Sequence, residues 1–394
     1  MNDDSRRLLA LSVFHCMNDG SLALFASALP VMRVGLELSF VEIGTILGVG
    51  LAATMLLQLV FGYLSDQGHA RPILFLGFAG VVVADLIFPI GSAFIQVLIF
   101  YTLLRSAAAV YHPVSFASIG RTYAENKTAA FGYQGAIGDF GLTLATFSTG
   151  ILSEVWGWRV PFWVWGAIGV MLFAYFATTI TRHRIGFYAK PVYSAGELSN
   201  NQGNSNSLKS AFAVLAIVSS ITTVSFILFT GYMPLYFNII ETLSPAWSTT
   251  AVAAWIGIGV VAGFMAGRVV NRLRGEARTL QVMFTMQAIL FFIASITLAY
   301  GTVGPWGPTF RYPAIVLSGI PVFITFPAVN GLLGLRMPHR RLGLTYALSL
   351  SLGLMAASLA SYLAGYLASI TSIAVILPML FIIATLGIAA SLKL

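Results

Sequence analysis

Four ionisable side chains lie inside long apolar runs of the sequence. Asp19, Asp85, Arg105 and Asp139 each fall within about one or two helical turns of the centre of such a run. A charge at the middle of a bilayer costs roughly 2.5–3.5 kcal/mol on insertion scales, so each residue needs a partner, water or a proton. The apolar runs of the second half carry no comparable central charge. The first half therefore holds the residues able to do charge chemistry.

Helical spacing divides these residues into two sets. His15 and Asp19 are four residues apart and share one face of a helix, with Ser12 about one turn earlier. Arg105 and His112 are seven residues apart, again on one face, and Tyr101 precedes Arg105 by four. An imidazole beside a carboxylate can pass a proton, and a guanidinium can bind an anion.

The composition indicates what positions these groups. The 394-residue chain is 58% apolar and 9% charged, whereas soluble proteins are about 25% charged. This excludes a soluble enzyme, a disordered chain and, with Cys16 as the one cysteine, a disulfide scaffold. A spanning helix needs about 20 apolar residues. Breaks at charges, Gly and Pro predict twelve spans, at 8–32, 40–61, 73–92, 95–118, 129–152, 160–181, 211–238, 247–267, 279–300, 312–335, 342–369 and 373–392.

The distribution of basic residues predicts the orientation. With the N-terminus inside, Arg33, Arg159 and Arg311 fall in outer loops and Arg105 lies mid-helix, while the rest of the 21 Lys and Arg residues fall in inner loops. Cytoplasmic loops carry such an excess, so we expect both termini in the cytoplasm and the protein in the cell membrane. The net charge of +8 then needs no nucleic acid partner.

Two six-helix halves are predicted on either side of a polar segment. Ser, Asn and Gly dominate residues 194–207, which predicts a flexible linker. The expected units are a bundle at 1–181, a cytoplasmic linker at 182–210 and a second bundle at 211–394. Glycines and prolines recur in both halves at offsets near 210 residues, pairing Gly62 with Gly267 and Pro113 with Pro327. Such duplication predicts a substrate site between the halves near mid-membrane.

The polar loop after the second span has a counterpart after the eighth. The first reads Gly62-Tyr-Leu-Ser-Asp66-Gln-Gly-His-Ala-Arg71, and the second includes Gly267, Asn271 and Arg272. We expect Asp66 to cap the next helix or to pair with a basic residue such as Arg71 in one state of a gate. The pattern resembles the Gly-x-x-x-Asp-Arg/Lys loop of the major facilitator superfamily, although Gln67 and Asn271 depart from it. The resemblance implies an all-α polytopic membrane protein with twelve transmembrane helices in two six-helix pseudo-symmetric bundles.

Two shorter motifs are similar to the fosmidomycin-resistance-like branch of that superfamily. They are His15-Cys-Met-Asn-Asp19 in the first span and Tyr111-His112-Pro113 in the fourth. The branch implies efflux of drugs or other small molecules. In the implied fold, Asp19, Arg105 and Asp139 face a shared cavity, whereas Asp85 lies on a supporting helix and makes a structural hydrogen bond.

A proton-coupling hypothesis follows from these charges. One arginine satisfies one of the two cavity carboxylates, and the other, removed from water, favours its protonated form. Asp19 is the expected coupling acid, with Asp139 and His15 as further members. A neutralised helix clamp is the alternative for the charged residues, and hydrogen-bonded packing is the alternative for the two histidines. A metal site at His15, Asp19 and His112 fits the ligand types, but no close cluster of ligands supports it.

Softer polar residues are expected to complete the binding site. Arg105, His112 and Tyr101 belong to the first half, and the predicted set from the second half is Thr222, Tyr232, Asn330 and Tyr346. A site with charged residues from the first half on one side and apolar and hydroxyl-bearing residues from the second half on the other suits an amphiphilic organic solute.

The sequence favours a transporter over two other classes. It lacks HExxH and GxxxxGK[ST] motifs and a loop long enough for a catalytic domain, which argues against an enzyme. Short tails argue against a membrane sensor. We expect proton-coupled efflux of an amphiphilic solute by alternating access, with proton-coupled uptake of an organic anion as the alternative. The expected partners are the solute, protons and the lipid bilayer, for a monomer without cofactors.

Overall fold

The protein is helical throughout the residues that the computed structural model describes, which are 3–122, 127–183, 186–187, 205–300, 306–337 and 342–394. Fourteen α-helices fall within these ranges: α1 Asp3–Gly35, α2 Phe40–Leu64, α3 Ala70–Ile87, α4 Phe94–Ala108, α5 Tyr111–Thr122, α6 Lys127–Trp156, α7 Val160–Arg182, α8 Ser205–Ile239, α9 Pro245–Arg272, α10 Glu276–Tyr300, α11 Trp306–Leu317, α12 Gly319–Arg336, α13 Leu342–Ile370 and α14 Ile376–Ser391.

The twelve predicted spans are confirmed. Eleven stretches of the described chain are long and apolar enough to cross a membrane, and one of them, Phe40–Ile90, has 51 residues. At about 1.5 Å per residue, that stretch is more than twice the thickness of a bilayer core of about 30 Å. It contains α2 and α3, separated by the turn Ser65–His69, in which Gly68 has a φ of 91°. This left-handed conformation favours glycine.

Two of the spans are broken helices, which the sequence analysis treated as continuous. The fourth consists of α4 and α5, and the tenth of α11 and α12. Proline lacks an N–H and its ring clashes with the carbonyl four residues earlier. Pro113 therefore disturbs the helix at Ala109, and Pro321 disturbs it at Leu317, which are the positions of the two breaks. The structural counterpart of Pro113 is thus Pro321; Pro327, its predicted partner, lies inside α12.

The first bundle comprises α1–α7 and the second comprises α8–α14. They meet along α2 and α13 and along α6 and α9. Gly44 lies against Ser361 and Gly365, so a Cβ added to Gly44 would come within 2.9 Å of the Ser361 carbonyl oxygen. Further along α2, the Gln58 amide donates to the Ser351 hydroxyl at 2.8 Å. Residues 188–204, most of the predicted linker, lie outside the described residues.

Helix α1 is surrounded by protein. It packs against α3, α4, α5, α6, α7, α8 and α9. Phe14 of α1 stacks on Phe78 of α3, with ring centroids 4.4 Å apart, and this contact helps to hold α1 against α3. Between Leu8 and Met32 every residue of α1 is buried or half-buried, as a helix inside a bundle should be.

A buried ion pair lies in the second bundle at a position that the sequence analysis assigned to an outer loop. Arg311 is inside α11, and its Nη2 donates to Glu241, which follows α8, at 2.7 Å. The hydroxyls of Tyr236 and Tyr312 donate to the same carboxylate at 2.7 and 3.0 Å. These contacts join the end of α8 to α11.

Candidate functional site

The predicted pair on α1 is formed. His15 Nε2 lies 3.1 Å from Asp19 Oδ2. Asp19 Oδ1 accepts a hydrogen bond of 2.9 Å from the side chain of Asn18. The His15 side chain is 8% exposed and the Asp19 side chain 19%, so the carboxylate stays partly accessible to solvent. The i,i+4 geometry of a regular helix accounts for this contact.

His112 joins the pair from the broken fourth span. Its Nε2 lies 3.9 Å from Asp19 Oδ1, and its ring meets the His15 ring edge to face at 5.3 Å. Phe116, one turn later, stacks on the other face of His112 at 5.6 Å. The side chain is 32% exposed. The break before Tyr111 thus sets the orientation from which α5 presents His112 to α1.

Gln134, which the sequence analysis did not select, orients His15. The backbone carbonyl of Gln134 in α6 lies 2.9 Å from His15 Nδ1. Its side-chain amide donates to the Tyr111 hydroxyl at 2.6 Å, and Tyr111 donates to the Leu11 carbonyl at 2.9 Å. Tyr111 also stacks on His15 at 4.7 Å. Because a carbonyl only accepts, Nδ1 must carry hydrogen. A glutamine inside an apolar run was the available sequence signal.

Asp139 lies in the same contact between α1 and α6. It follows Gly138, where a Cβ would overlap the His15 ring, and precedes Gly141, where a Cβ would overlap the Cys16 backbone. The Asp139 side chain makes no ion pair with the residues described. Asp139 thus lies on α6 within the helix contact that also holds His15.

Arg105 does not neutralise either acid, contrary to the expected pairing. Its Nε donates to the Thr54 hydroxyl of α2 at 3.1 Å, and within the described ranges no carboxylate lies within ion-pair distance of it. Tyr101 and Arg105 lie over Gly50, where a Cβ would come within 2.6 Å of the Tyr101 ring. Asp19 instead finds its charge partner one turn away on its own helix. Sequence spacing could not reveal that α4 turns Arg105 toward α2.

Asp85 occupies the structural role expected for it. It is fully buried on α3 and accepts a hydrogen bond of 2.6 Å from Ser21 of α1. It is thus separate from the contacts between His15, Asp19 and His112.

The predicted residues of the second half are engaged within their own bundle. Thr222 donates to the Val218 carbonyl at 3.1 Å, and fully buried Tyr232 donates to the Ser361 carbonyl at 2.5 Å. Tyr346 donates to the backbone carbonyl of Asn330 at 2.9 Å, and the Asn330 side chain is exposed. No described hydrogen bond joins these four residues to the first bundle. Thr222 thus contributes to packing inside the second bundle, whereas the Tyr232 hydroxyl also lies against Gly44 of α2 in the first bundle.

The paired loop motifs differ in structure. Gly62 lies near the end of α2, which ends at Leu64, whereas Gly267, Asn271 and Arg272 all remain within α9. The second turn follows at Leu273–Gly275, so Gly267 does not open a loop. Asp66 provides no cap to α3, and Arg71 lies over the Phe75 ring at 5.9 Å instead of pairing with Asp66.

The ligand atoms of His15, Asp19 and His112 all lie within 4.8 Å of one another. The sequence predicted that these three residues would not form a close cluster, and this prediction is wrong. The fold brings His112 from α5 to the pair on α1. A proton or a metal ion could bridge such a set of two imidazoles and one carboxylate.

Comparisons with known proteins agree with this architecture. A bacterial homolog of the human lysosomal transporter Spinster, inward-facing and unoccupied, matches with 14% identity over 100% of this chain and 97% of its own, with a TM-score of 0.79. The peptide transporter POT in complex with sulfate matches with 13% identity over 98% and 94% and a TM-score of 0.76. The nucleoside transporter NupG matches with 13% identity over 100% and 98% and a TM-score of 0.68. These likenesses show the fold.

No curated protein matches the sequence significantly. The family model of the Major Facilitator Superfamily matches residues 11–361, most of the chain. With its twelve spans and two bundles, the chain belongs to the major facilitator superfamily, and it is a membrane transporter.

Proposed function

We propose that the protein exports a small amphiphilic organic solute across the cell membrane in exchange for protons, by alternating access. Membership of a transporter family supports transport, and the motifs at His15–Asp19 and Tyr111–Pro113 support export through their resemblance to an efflux branch. The observation that carries proton coupling is the contact of 3.1 Å between His15 and Asp19, whose carboxylate stays partly accessible to solvent.

This contact requires a proton. His15 Nδ1 faces the Gln134 carbonyl, so it carries one hydrogen, and only Nε2 remains to face Asp19. Two lone pairs at 3.1 Å would repel each other, so the pair holds a hydrogen on the nitrogen or on the carboxylate. A neighbouring ring at His112 can receive it. Binding of a proton and binding of the solute then exclude each other if the solute binds directly beside Asp19.

Asp139 supplies the second acid of the proposed mechanism. It stands at the same contact between α1 and α6 without an ion-pair partner among the described residues. A structural clamp would instead require both acids to be neutralised by fixed basic partners. The unpaired state of Asp139 favours proton exchange over the clamp.

The substitution Asp19→Asn tests the proposal. Amphiphilic compounds that raise the melting temperature of the purified protein serve as substrates for counterflow in proteoliposomes. We expect wild-type flux to respond to an imposed pH gradient and the Asp19→Asn variant to keep counterflow while losing that response, because the amide cannot exchange a proton.

Asp85→Asn is the matched control, since it also removes a buried carboxyl from a spanning helix. It should retain the response to the pH gradient. An unchanged pH response in Asp19→Asn would remove Asp19 from the mechanism. Measured accumulation in right-side-out vesicles would contradict export and favour uptake.

A further inference from the structure

Arg105 is a buried guanidinium that has no acidic partner among the residues the structure describes. It is 6% exposed, and its hydrogen bond within the described residues runs from Nε to Thr54 at 3.1 Å. Neither terminal nitrogen donates to any described residue, and neither belongs to the fully buried, unpaired atoms. An arginine remains charged at any physiological pH. In a membrane interior, an unpaired guanidinium therefore demands a negative group.

The neighbours of Arg105 hold it rather than neutralise it. Tyr101, one turn earlier, packs against Phe25 of α1 with ring centroids 4.6 Å apart. Both Tyr101 and Arg105 lie over the bare backbone of Gly50, and a Cβ there would come within 2.8 Å of Arg105 Cγ. Thr54 receives Nε and donates to the Arg105 carbonyl at 3.1 Å. The fork of Nη1 and Nη2 is thereby fixed and left available.

The free fork lies beside the contact between the bundles. Thr54 and Gln58 are one turn apart on α2, and Gln58 donates to Ser351 of α13, in the other bundle. Binding sites of transporters built from repeats lie where the repeats meet. Arg105 therefore lies one helical turn along α2 from a direct contact between the two bundles.

The two nearby acids do not compensate Arg105. Asp19 already contacts His15 and Asn18. Asp139 lies on α6, which packs against α1, whereas α4 packs mainly against α2 and α3. His112, two turns beyond Arg105 along the fourth span, supplies no counter-charge either, because an imidazole carries no negative charge. Within the described part of the chain, the charge of Arg105 is thus left without a counter-charge.

We propose that Arg105 binds the anionic head group of the transported solute, a carboxylate, phosphonate or phosphate monoester on an apolar body. The inference rests on the proposed transport function and names its substrate class. A guanidinium fork holds such oxygens through two parallel hydrogen bonds. The apolar body of the solute would lie between the two bundles.

A charge series on one ring tests this assignment in purified protein without any ion gradient. The probes are benzoate and phenylphosphonate as anions, benzyl alcohol as the neutral analogue and benzylamine as the cation, titrated by thermal shift. We expect saturable stabilisation by the anions alone. Arg105→Gln should weaken it about tenfold or more, because a hydrogen-bonded charge is lost, and Arg105→Lys should retain part of it.

Two further variants keep the test decisive. Arg33→Gln is the control. It removes a cation near the C-terminal end of α1, where Arg33 lies over the Phe40 ring, and it should leave anion binding unchanged. Thr54→Val preserves shape and Arg105 but frees Nε, so it should weaken binding by a smaller factor even if Arg105→Gln does not fold. Equal stabilisation by benzylamine, undiminished anion binding in both site variants, or no saturable response to either anion would overturn the inference.

The proton-coupling proposal fails separately. Anion binding that persists in a protein whose flux ignores the pH gradient would keep this inference and reject proton coupling. Proton-coupled flux of a cation would instead support proton coupling and reject the binding of an anionic head group by Arg105.

Discussion

His15 owes its place to a glycine on another helix. The ring occupies the space that a side chain at Gly138 would fill, and it is held there by the Gln134 carbonyl and by stacking on Tyr111. Loss of that space would move the imidazole away from Asp19. The pair on α1 is therefore a tertiary feature as well as an i,i+4 pair.

Gly138→Ala tests this dependence. We expect it to destabilise the protein by about 1–3 kcal/mol, as overpacking does, and to diminish the response of flux to a pH gradient. Gly135→Ala is the matched control on the same helix, because a Cβ there meets nothing within 4 Å. Replacing glycine by alanine in an open helical position is neutral or stabilising by up to about 1 kcal/mol. Equal melting temperatures of the two variants would contradict the role of Gly138.

At the scale of elements, broken helices and one ion pair organise the bundles. Pro113 and Pro321 interrupt the fourth and tenth spans, and the first break presents His112 to Asp19. In the second bundle, Glu241 ties the end of α8 to α11 through Arg311 and two tyrosines. These contacts set the position of the tenth span relative to α8.

Glu241→Gln should destabilise the protein by about 3–5 kcal/mol, because it leaves the buried Arg311 without its counter-charge. The double variant Glu241→Gln/Arg311→Met should recover part of the loss, since no buried charge then remains. Thermal denaturation in detergent, followed as a double-mutant cycle, measures the coupling. Additive losses would show that the two residues do not act as a pair.

At the scale of the whole molecule, two bundles meet through helices with little side-chain bulk at their contact. Gly44 lies on Ser361 and Gly365, Gly48 accepts a hydrogen bond of 2.7 Å from Ser358 through its carbonyl, and Gln58 bonds Ser351. Such a contact can separate and re-form as the bundles rock, which alternating access requires.

The distribution of basic residues predicts which face of the molecule is cytoplasmic. In a variant lacking Cys16, we expect Asn271→Cys to react with a membrane-impermeant thiol reagent only in inside-out vesicles. Ser92→Cys should react only in right-side-out vesicles. Both positions are exposed, and neither substitution changes the charge that determines the orientation. Labelling of both cysteines from the same side would contradict the predicted topology.

Much of the fold follows from local physics that a sequence displays directly. The length and apolarity of the runs predicted twelve spans because an unpaired backbone cannot cross a bilayer. Helical periodicity predicted the contact between His15 and Asp19 for the same local reason. The helix breaks were less visible, since a proline near the middle of an apolar run can either kink or interrupt a helix.

What the sequence by itself determined was therefore the membrane class, the number of spans and the pair on α1. Only the tertiary structure decided that His112 and Gln134, more than ninety residues away from His15, complete the cluster. It also decided that Arg105 turns to Thr54 instead of to an acid, and that Thr222 and Tyr232 are buried in packing. The physical reason is that spacing specifies which residues share a helix face, whereas the rotation and approach of helices depend on glycine contacts and proline breaks between distant segments.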